Sequence, residues 1–146
     1  MEDKIYSLIL VFLQFLIIVI ILILNDSIFS NKFSIFITLI GLVLGIYTLT
    51  FNKLGNFNIT PEIKKGAILI TTGTYKYIRH PMYFVVLLIM FAVIISSLNI
   101  LSILLYFCLI YILYLKAKKE ETLCLEKYEE YFYYKKRTKM FIPFIL

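Results

Sequence analysis

Two short stretches of this chain concentrate side chains able to hold or move charge. The first runs Leu69-Ile70-Thr71-Thr72-Gly73-Thr74-Tyr75-Lys76-Tyr77-Ile78-Arg79-His80-Pro81-Met82-Tyr83. Proline suits the first turn of a helix, where its missing N–H would have had no partner. It also pushes the residue before it toward extended backbone. Arg79 and His80 are therefore predicted to sit beside the N-terminus of a helix that opens at Pro81. Free backbone N–H groups and the helix dipole favour an anion there. Arginine adds a bidentate donor suited to carboxylate or phosphate. The chemistry expected is an anion pocket; the alternative is that Arg79 and His80 anchor the chain to lipid headgroups.

The second stretch is Lys119-Glu120-Glu121-Thr122-Leu123, continuing through Tyr128, Tyr131 and Tyr134 to Arg137. The segment Lys116–Arg137 is predicted as one helix. Adjacent helical residues point about 100° apart. Glu120 then shares a face with Cys124, Lys127, Tyr131 and Tyr134, and Glu121 with Leu125, Tyr128 and Phe132. Both carboxylates can border one small ligand, but only one can point straight at it. A carboxylate beside aromatic faces attracts a sulfonium or ammonium cation. The alternative is a solvated amphipathic helix with i,i+4 charge pairs.

The elements that must position these residues follow from composition. Of 146 residues, 62% are apolar and 16% charged. A soluble domain runs near half and a quarter, and a chain this short has too much surface to hide the excess. Disorder and a disulfide-stapled module are excluded. Cys108 and Cys124 form no C-x-x-C pair and are expected to be structural, and His80 has no metal-spaced companion. The expectation is an all-α integral membrane protein with one domain over 1–146. Residues 1–52 would hold two N-terminal spans and 53–146 the functional core.

Ile5 to Leu24 carries no charge, and Gln14 is its one strongly polar residue. Twenty residues at 1.5 Å each cover the roughly 30 Å of hydrocarbon in a bilayer. Met1-Glu2-Asp3-Lys4 is not a basic leader and no small-x-small cleavage site follows, so a span is expected rather than a signal peptide. Asn25-Asp26-Ser27 breaks the run. Phe33 to Phe51 is a second uncharged run, with Gly41 and Gly45 spaced for close helix contact. Asn52 to Arg79 is a polar loop too long to be idle. His80 to Leu115 exceeds one span, and Ser96-Ser97-Leu98-Asn99 offers a turn between arms at about 81–95 and 100–115. The first arm is short for a bilayer. Four spans put both termini, the loop and the tail on one side, with fourteen Lys/Arg against Lys32 alone on the other. The positive-inside rule makes that side cytoplasmic. Topology and attraction to anionic membrane lipid account for the net charge of +6, so no nucleic-acid partner is expected.

Gly73-Thr74-Tyr75, Arg79-His80-Pro81-Met82-Tyr83, Glu120-Glu121 and Tyr134-Lys135-Lys136-Arg137 running to Pro143-Phe144 together resemble the isoprenylcysteine carboxyl methyltransferase family and the related phospholipid methyltransferases. The resemblance covers about Lys53 to Ile145. It implies a membrane-embedded methyltransferase that uses S-adenosylmethionine and takes a lipophilic small-molecule or lipid substrate from the bilayer. On the matching positions, His80, Tyr83, Glu120 and Glu121 would contact the cofactor, and Tyr75, Tyr131 and Tyr134 would wall it. Arg79 and Arg137 would stand near the cofactor or the acceptor. A carboxylate acceptor would need only an orienting arginine, Arg137 or Arg79. An amine or thiol would need a base, Glu120, Glu121 or His80. Thr74, Phe84-Val85 and Lys127-Tyr128 stand where the family often has Pro, Gly and Phe-Gly. The register of the acidic pair stays open, either Glu120-Glu121 or Glu120 with Lys119 at the partner position. A non-catalytic membrane protein with a basic lipid- or partner-binding C-terminal helix is the alternative. A reductase is disfavoured by the lack of a Gly-rich dinucleotide fingerprint.

Overall fold

The computed structural model of the chain describes residues 2–25, 31–52 and 58–142. Asp26, Ser27, Lys53, Gly55 and the terminal Pro143-Phe144 lie outside these residues. The elements are α1 (Glu2–Leu24), α2 (Lys32–Phe51), α3 (Pro81–Ser97), α4 (Ile100–Lys127) and α5 (Tyr131–Arg137), with a 3-10 turn at Gly73–Lys76. Helices α1, α2 and α4 are long and apolar enough to cross a membrane, and α3 is a shorter apolar helix. The expected all-α membrane architecture with about four spans is what the chain forms. At 1.5 Å per residue, α3 spans only about 25 Å.

Helix starts and stops follow local chemistry. Asn31 caps α2, its side chain accepting from Phe33 N. Pro81 opens α3, as predicted. Leu98 takes a left-handed conformation at φ 49°, and Asn99 then caps α4 by accepting from the Leu101 and Ser102 amides. The predicted hairpin turn is thus built on Leu98-Asn99.

One prediction fails. Lys116–Arg137 is two helices, because α4 stops at Lys127 and Tyr128 turns to extended backbone at φ −122°, ψ 111°. Tertiary bonds make the break: Tyr128 Oη donates to the Ala67 carbonyl at 2.6 Å, and Tyr134 Oη to that of Tyr75 at 2.7 Å. A straight helix would carry the last tyrosines away from those acceptors.

Helix α2 packs chiefly along α3, and α1 along α4. The α2 seam is small: Ser34, Gly41, Gly45 and Thr48 are its buried residues. A Cβ on Gly41 would sit 2.7 Å from Ile89 Cγ1, so only glycine allows that approach. The apolar core joins Leu10, Ile17 and Ile21 of α1 to Val93 and Ile94 of α3 and Leu109 and Leu113 of α4. Phe12, Val43 and Phe107 face outward, as lipid-facing positions should. At one end, buried Asn25 donates to the Ile21 carbonyl (2.6 Å) and to Ser102 Oγ (2.7 Å), and accepts from Ser97. This ties α1 to the α3–α4 turn and leaves the other end for the charged residues.

There the 3-10 turn docks on the end of α2, with Thr48 Oγ1 donating to Thr74 Oγ1 at 3.2 Å. Gly73 has φ +61°, and any Cβ on it would run into the Phe51 ring. Gly73→Ala is expected to destabilise the protein by about 1–3 kcal/mol. Helical circular dichroism followed on heating in detergent should show an unfolding midpoint several degrees below wild type. Melting together with wild type would contradict the tight seat on Phe51.

Candidate functional site

The strip Tyr77–His80 leads from the 3-10 turn into α3, with His80 at φ −122°, ψ 61° rather than in the extended backbone expected before a proline, and residues after α5 return to pair with it. Arg79 N donates to the Lys139 carbonyl (2.8 Å), His80 N to that of Met140 (3.1 Å), and Lys139 N to that of Tyr77 (3.0 Å). Ile78 and Lys139 thereby form a parallel bridge. The His80 carbonyl accepts the first amides of α3, from Tyr83 and Phe84. His80 is thus fixed by main-chain bonds on both sides before its side chain does anything.

Side chains then converge from four segments. Arg79 Nε donates to Glu121 Oε1 at 2.6 Å. Arg79 Nη1 donates to the carbonyls of Lys135 (3.2 Å) and Thr138 (2.5 Å). Lys135 Nζ reaches Glu121 Oε2 at 2.7 Å. The Glu121 side chain is 1% exposed and that of Arg79 8%. Arg79, expected as a donor to a carboxylate or phosphate beside the helix start, gives its Nε and Nη1 donors to the protein's own carboxylate and carbonyls. Lone buried charges are costly in a low-dielectric interior, so the buried Glu121 recruits both cations.

His80 lies between the two carboxylates, with Nδ1 3.3 Å from Glu120 Oε2 and Nε2 3.4 Å from Glu121 Oε1. Burial works against a charged imidazole here, but the hydrogen bonds and charges of Glu120 and Glu121 outweigh it and raise the His80 pKa above 6.5. The Tyr83 hydroxyl donates to Glu120 Oε1, and its ring stacks on His80 at 5.5 Å. Burial, with the Glu120 charge added, pushes the Tyr75 phenol up to about 12. Burial also raises Tyr131 and Tyr134, so all three remain neutral hydroxyls.

These residues wall a cleft of about 190 Å³, well beyond the roughly 10–15 Å³ that one water needs. Tyr75, Arg79, His80, Tyr83, Glu120, Tyr131 and Tyr134 line it. Glu121 does not; it sits behind Arg79 and His80. Arg137 is exposed on α5, its guanidinium 5.8 Å from the Tyr134 ring, and is not on the cleft wall. Of the acidic pair, Glu120 is thus the carboxylate at the cleft. The long loop supplies part of the wall, including Asn58, Glu62, Ala67 and Leu69, and Tyr128 is tied to it through the Ala67 carbonyl. Cys124, expected to be only structural, also lines the cleft, one helical turn beyond Glu120.

A buried lysine was absent from the predicted site. Lys116, 1% exposed, donates to Gln14 Oε1 of α1 (2.5 Å) and to the Ile59 carbonyl (3.2 Å), with its ammonium 5.2 Å from the Tyr83 ring. The signal for it was Gln14, the one strongly polar residue of the first run.

Residues 33–126 match the sequence profile of the isoprenylcysteine carboxyl methyltransferase family. The chain belongs to that family. The match spans α2, the long loop, α3 and nearly all of α4, and leaves α5 with Tyr131, Tyr134 and Arg137 outside it. A comparison with individual curated proteins gives no match. Membership and the apolar spans together make this an integral membrane methyltransferase, acting on a lipophilic substrate among membrane lipids.

Two outcomes follow from the charged cluster. Removing one partner of a buried pair typically costs about 3–5 kcal/mol, so Glu121→Leu should be much less stable than wild type. Arg79→Met combined with Glu121→Leu should regain part of that loss, and a double variant no better than the single would contradict direct pairing. The second outcome is pH dependence. Folding raises the His80 pKa, so its protonated form stabilises the fold. That contribution is complete below its unfolded value of 6.5 and is lost as pH rises through the folded pKa. Unfolding midpoints measured upward from about pH 6 should fall, and His80→Gln should flatten the profile.

Proposed function

We propose that this family member is an S-adenosylmethionine-dependent methyltransferase whose cofactor binds in the cleft between α3, the C-terminal part of α4, α5 and the loop. The observation that carries this reading is Glu120, held on the cleft wall by Tyr83 and His80 and faced by neutral tyrosines. A carboxylate among aromatic faces fits a sulfonium or ammonium. His80, held between Glu120 and Glu121, adds its ring to the cleft wall beside Tyr83. The residues present therefore fit the cofactor.

When bound, S-adenosylmethionine supplies an electrophilic methyl group, and the protein's part is to position and to exclude water. Glu120 supports positive charge at the cleft. Tyr75, Tyr131 and Tyr134 form its wall as uncharged hydroxyls. Arg79, Glu121 and Lys135 act as positioning residues that fix His80 and, through it, Glu120. The apolar loop residues Ile63, Leu69 and Ile70 shield the cleft from water. Arg137, outside the cleft wall, is assigned no step. The chain works as one unit, since α1 reaches Lys116 and α2 seats the turn that carries Tyr75. We further propose that both termini and the cleft face the cytoplasm, because fourteen of fifteen Lys/Arg fall on that side of a four-span arrangement.

Calorimetric titration of the detergent-solubilised protein with S-adenosylmethionine tests the pocket. His80→Ala and Glu120→Ala should each weaken binding by about tenfold or more, the loss expected when a buried charged contact is removed. Wild-type affinity in both variants would remove the cleft as the cofactor site. Labelled methyl transfer into total lipid, prenylcysteine analogues and small thiols then shows which class accepts the group.

A further inference from the structure

Lys116 stands where a charge is expensive. It lies in α4, is 1% exposed, and its ammonium donates to Gln14 Oε1 in the apolar run of α1 at 2.5 Å. Ionisable groups at such depth in a membrane protein are costly and mark function. Apolar side chains of similar volume would make an α1–α4 contact without that cost. The other contacts of the ammonium lead to the cleft. It donates to the Ile59 carbonyl at 3.2 Å and lies 5.2 Å from the centre of the Tyr83 ring. Tyr83 lines the cleft, donates its hydroxyl to Glu120 and stacks on His80. Ile59 stands between Asn58 and Thr60, which both line the cleft. Glu120 follows Lys116 by one helical turn. Lys116 is not itself a lining residue.

We propose that Lys116 is a positioning residue of the cleft: set by Gln14 of α1, its ammonium holds Tyr83 and the Ile59 end of the loop in the places from which they wall the cofactor. The proposal rests on the methyltransferase reading above and adds a residue to its machinery. An ammonium has three donors and no acceptor. It can therefore bond a helix side chain and a loop carbonyl at once while its charge lies against an aromatic ring. No apolar residue can do the same. Tyr83 is then fixed by Glu120 at its hydroxyl and by His80 and Lys116 at its ring. Helix α1 lies outside the matched residues 33–126, and Gln14 gives it a part in the site.

The test uses the full chain in detergent, below the temperature at which any variant begins to lose helical circular dichroism. Calorimetric titration with S-adenosylmethionine reads the cleft. Lys116→Met fills similar space without donors or charge, and should weaken binding about fivefold or more. Gln14→Leu leaves Lys116 unanchored and should weaken it about threefold. Gln14→Glu keeps an oxygen acceptor and should bind as wild type does. Adding Gln14→Leu to Lys116→Met should cost nothing further, because Gln14 acts through Lys116; losses that add overturn the proposal. Folded Lys116→Met with wild-type affinity also overturns it, whatever its melting temperature. Where Lys116→Met does not fold, wild-type affinity in Gln14→Leu overturns it. Trypsin gives a readout without cofactor. Cleavage after exposed Lys64 and Lys65, measured against cleavage after Arg137, should rise about threefold in the folded Lys116 or Gln14→Leu variants, and an unchanged ratio counts against the hold on the loop. If wild type binds no cofactor while that ratio rises, the methyltransferase site is misplaced and the hold of Lys116 on the loop stands.

Discussion

The buried contact between Arg79 and Glu121 is the constraint around which this molecule is arranged. Neither charge can stay inside the protein unmatched, and the two come from segments 42 residues apart in sequence. Bringing them together fixes the end of the long loop against α4. Arg79 Nη1 then draws in the carbonyls of Lys135 and Thr138, which brings α5 and the returning tail to the same point. Glu121 answers with Lys135. The cleft exists because these segments cannot satisfy their polar groups without leaving His80 and Glu120 at its edge.

The bilayer explains why all of this sits at one end. Helices α1, α2 and α4 present outward faces such as Phe12, Val43 and Phe107, which lipid accepts and water does not. Polar groups within that zone must be satisfied internally. At the far end Asn25, Ser97 and Ser102 do so among themselves. At the near end Gln14 does so for Lys116. Between them the α2–α3 contact relies on small residues, since chains already surrounded by hydrocarbon gain from close fit rather than from leaving water.

Much of the frame is legible in the amino-acid sequence. Uncharged runs have one use in a short chain of this composition, and Pro81 declares a helix start through its own covalent geometry. The break after Lys127 was not legible. No glycine or proline stands at Tyr128–Glu130, and the interruption comes from hydroxyls reaching carbonyls 61 and 59 residues away. A single helix would have set Tyr131 and Tyr134 on one face with Glu120; they do meet Glu120 at the cleft, but through a change of direction between α4 and α5. The role of Arg79 misled for a related reason. A guanidinium beside a helix start looks available to a ligand until the partner carboxylate is located, and only tertiary structure locates it. The order of the acidic pair was open in sequence for the same cause; Glu120 and Glu121 part company only when Arg79 takes one of them inward.

The parallel pairing of Tyr77–His80 with Lys139 and Met140 has an evolutionary side. Amide and carbonyl groups do the joining, and every residue but proline offers both. At exposed Lys139 the side chain is free to drift while the seam endures, so relatives can diverge there in spelling and still close the same edge beside the histidine.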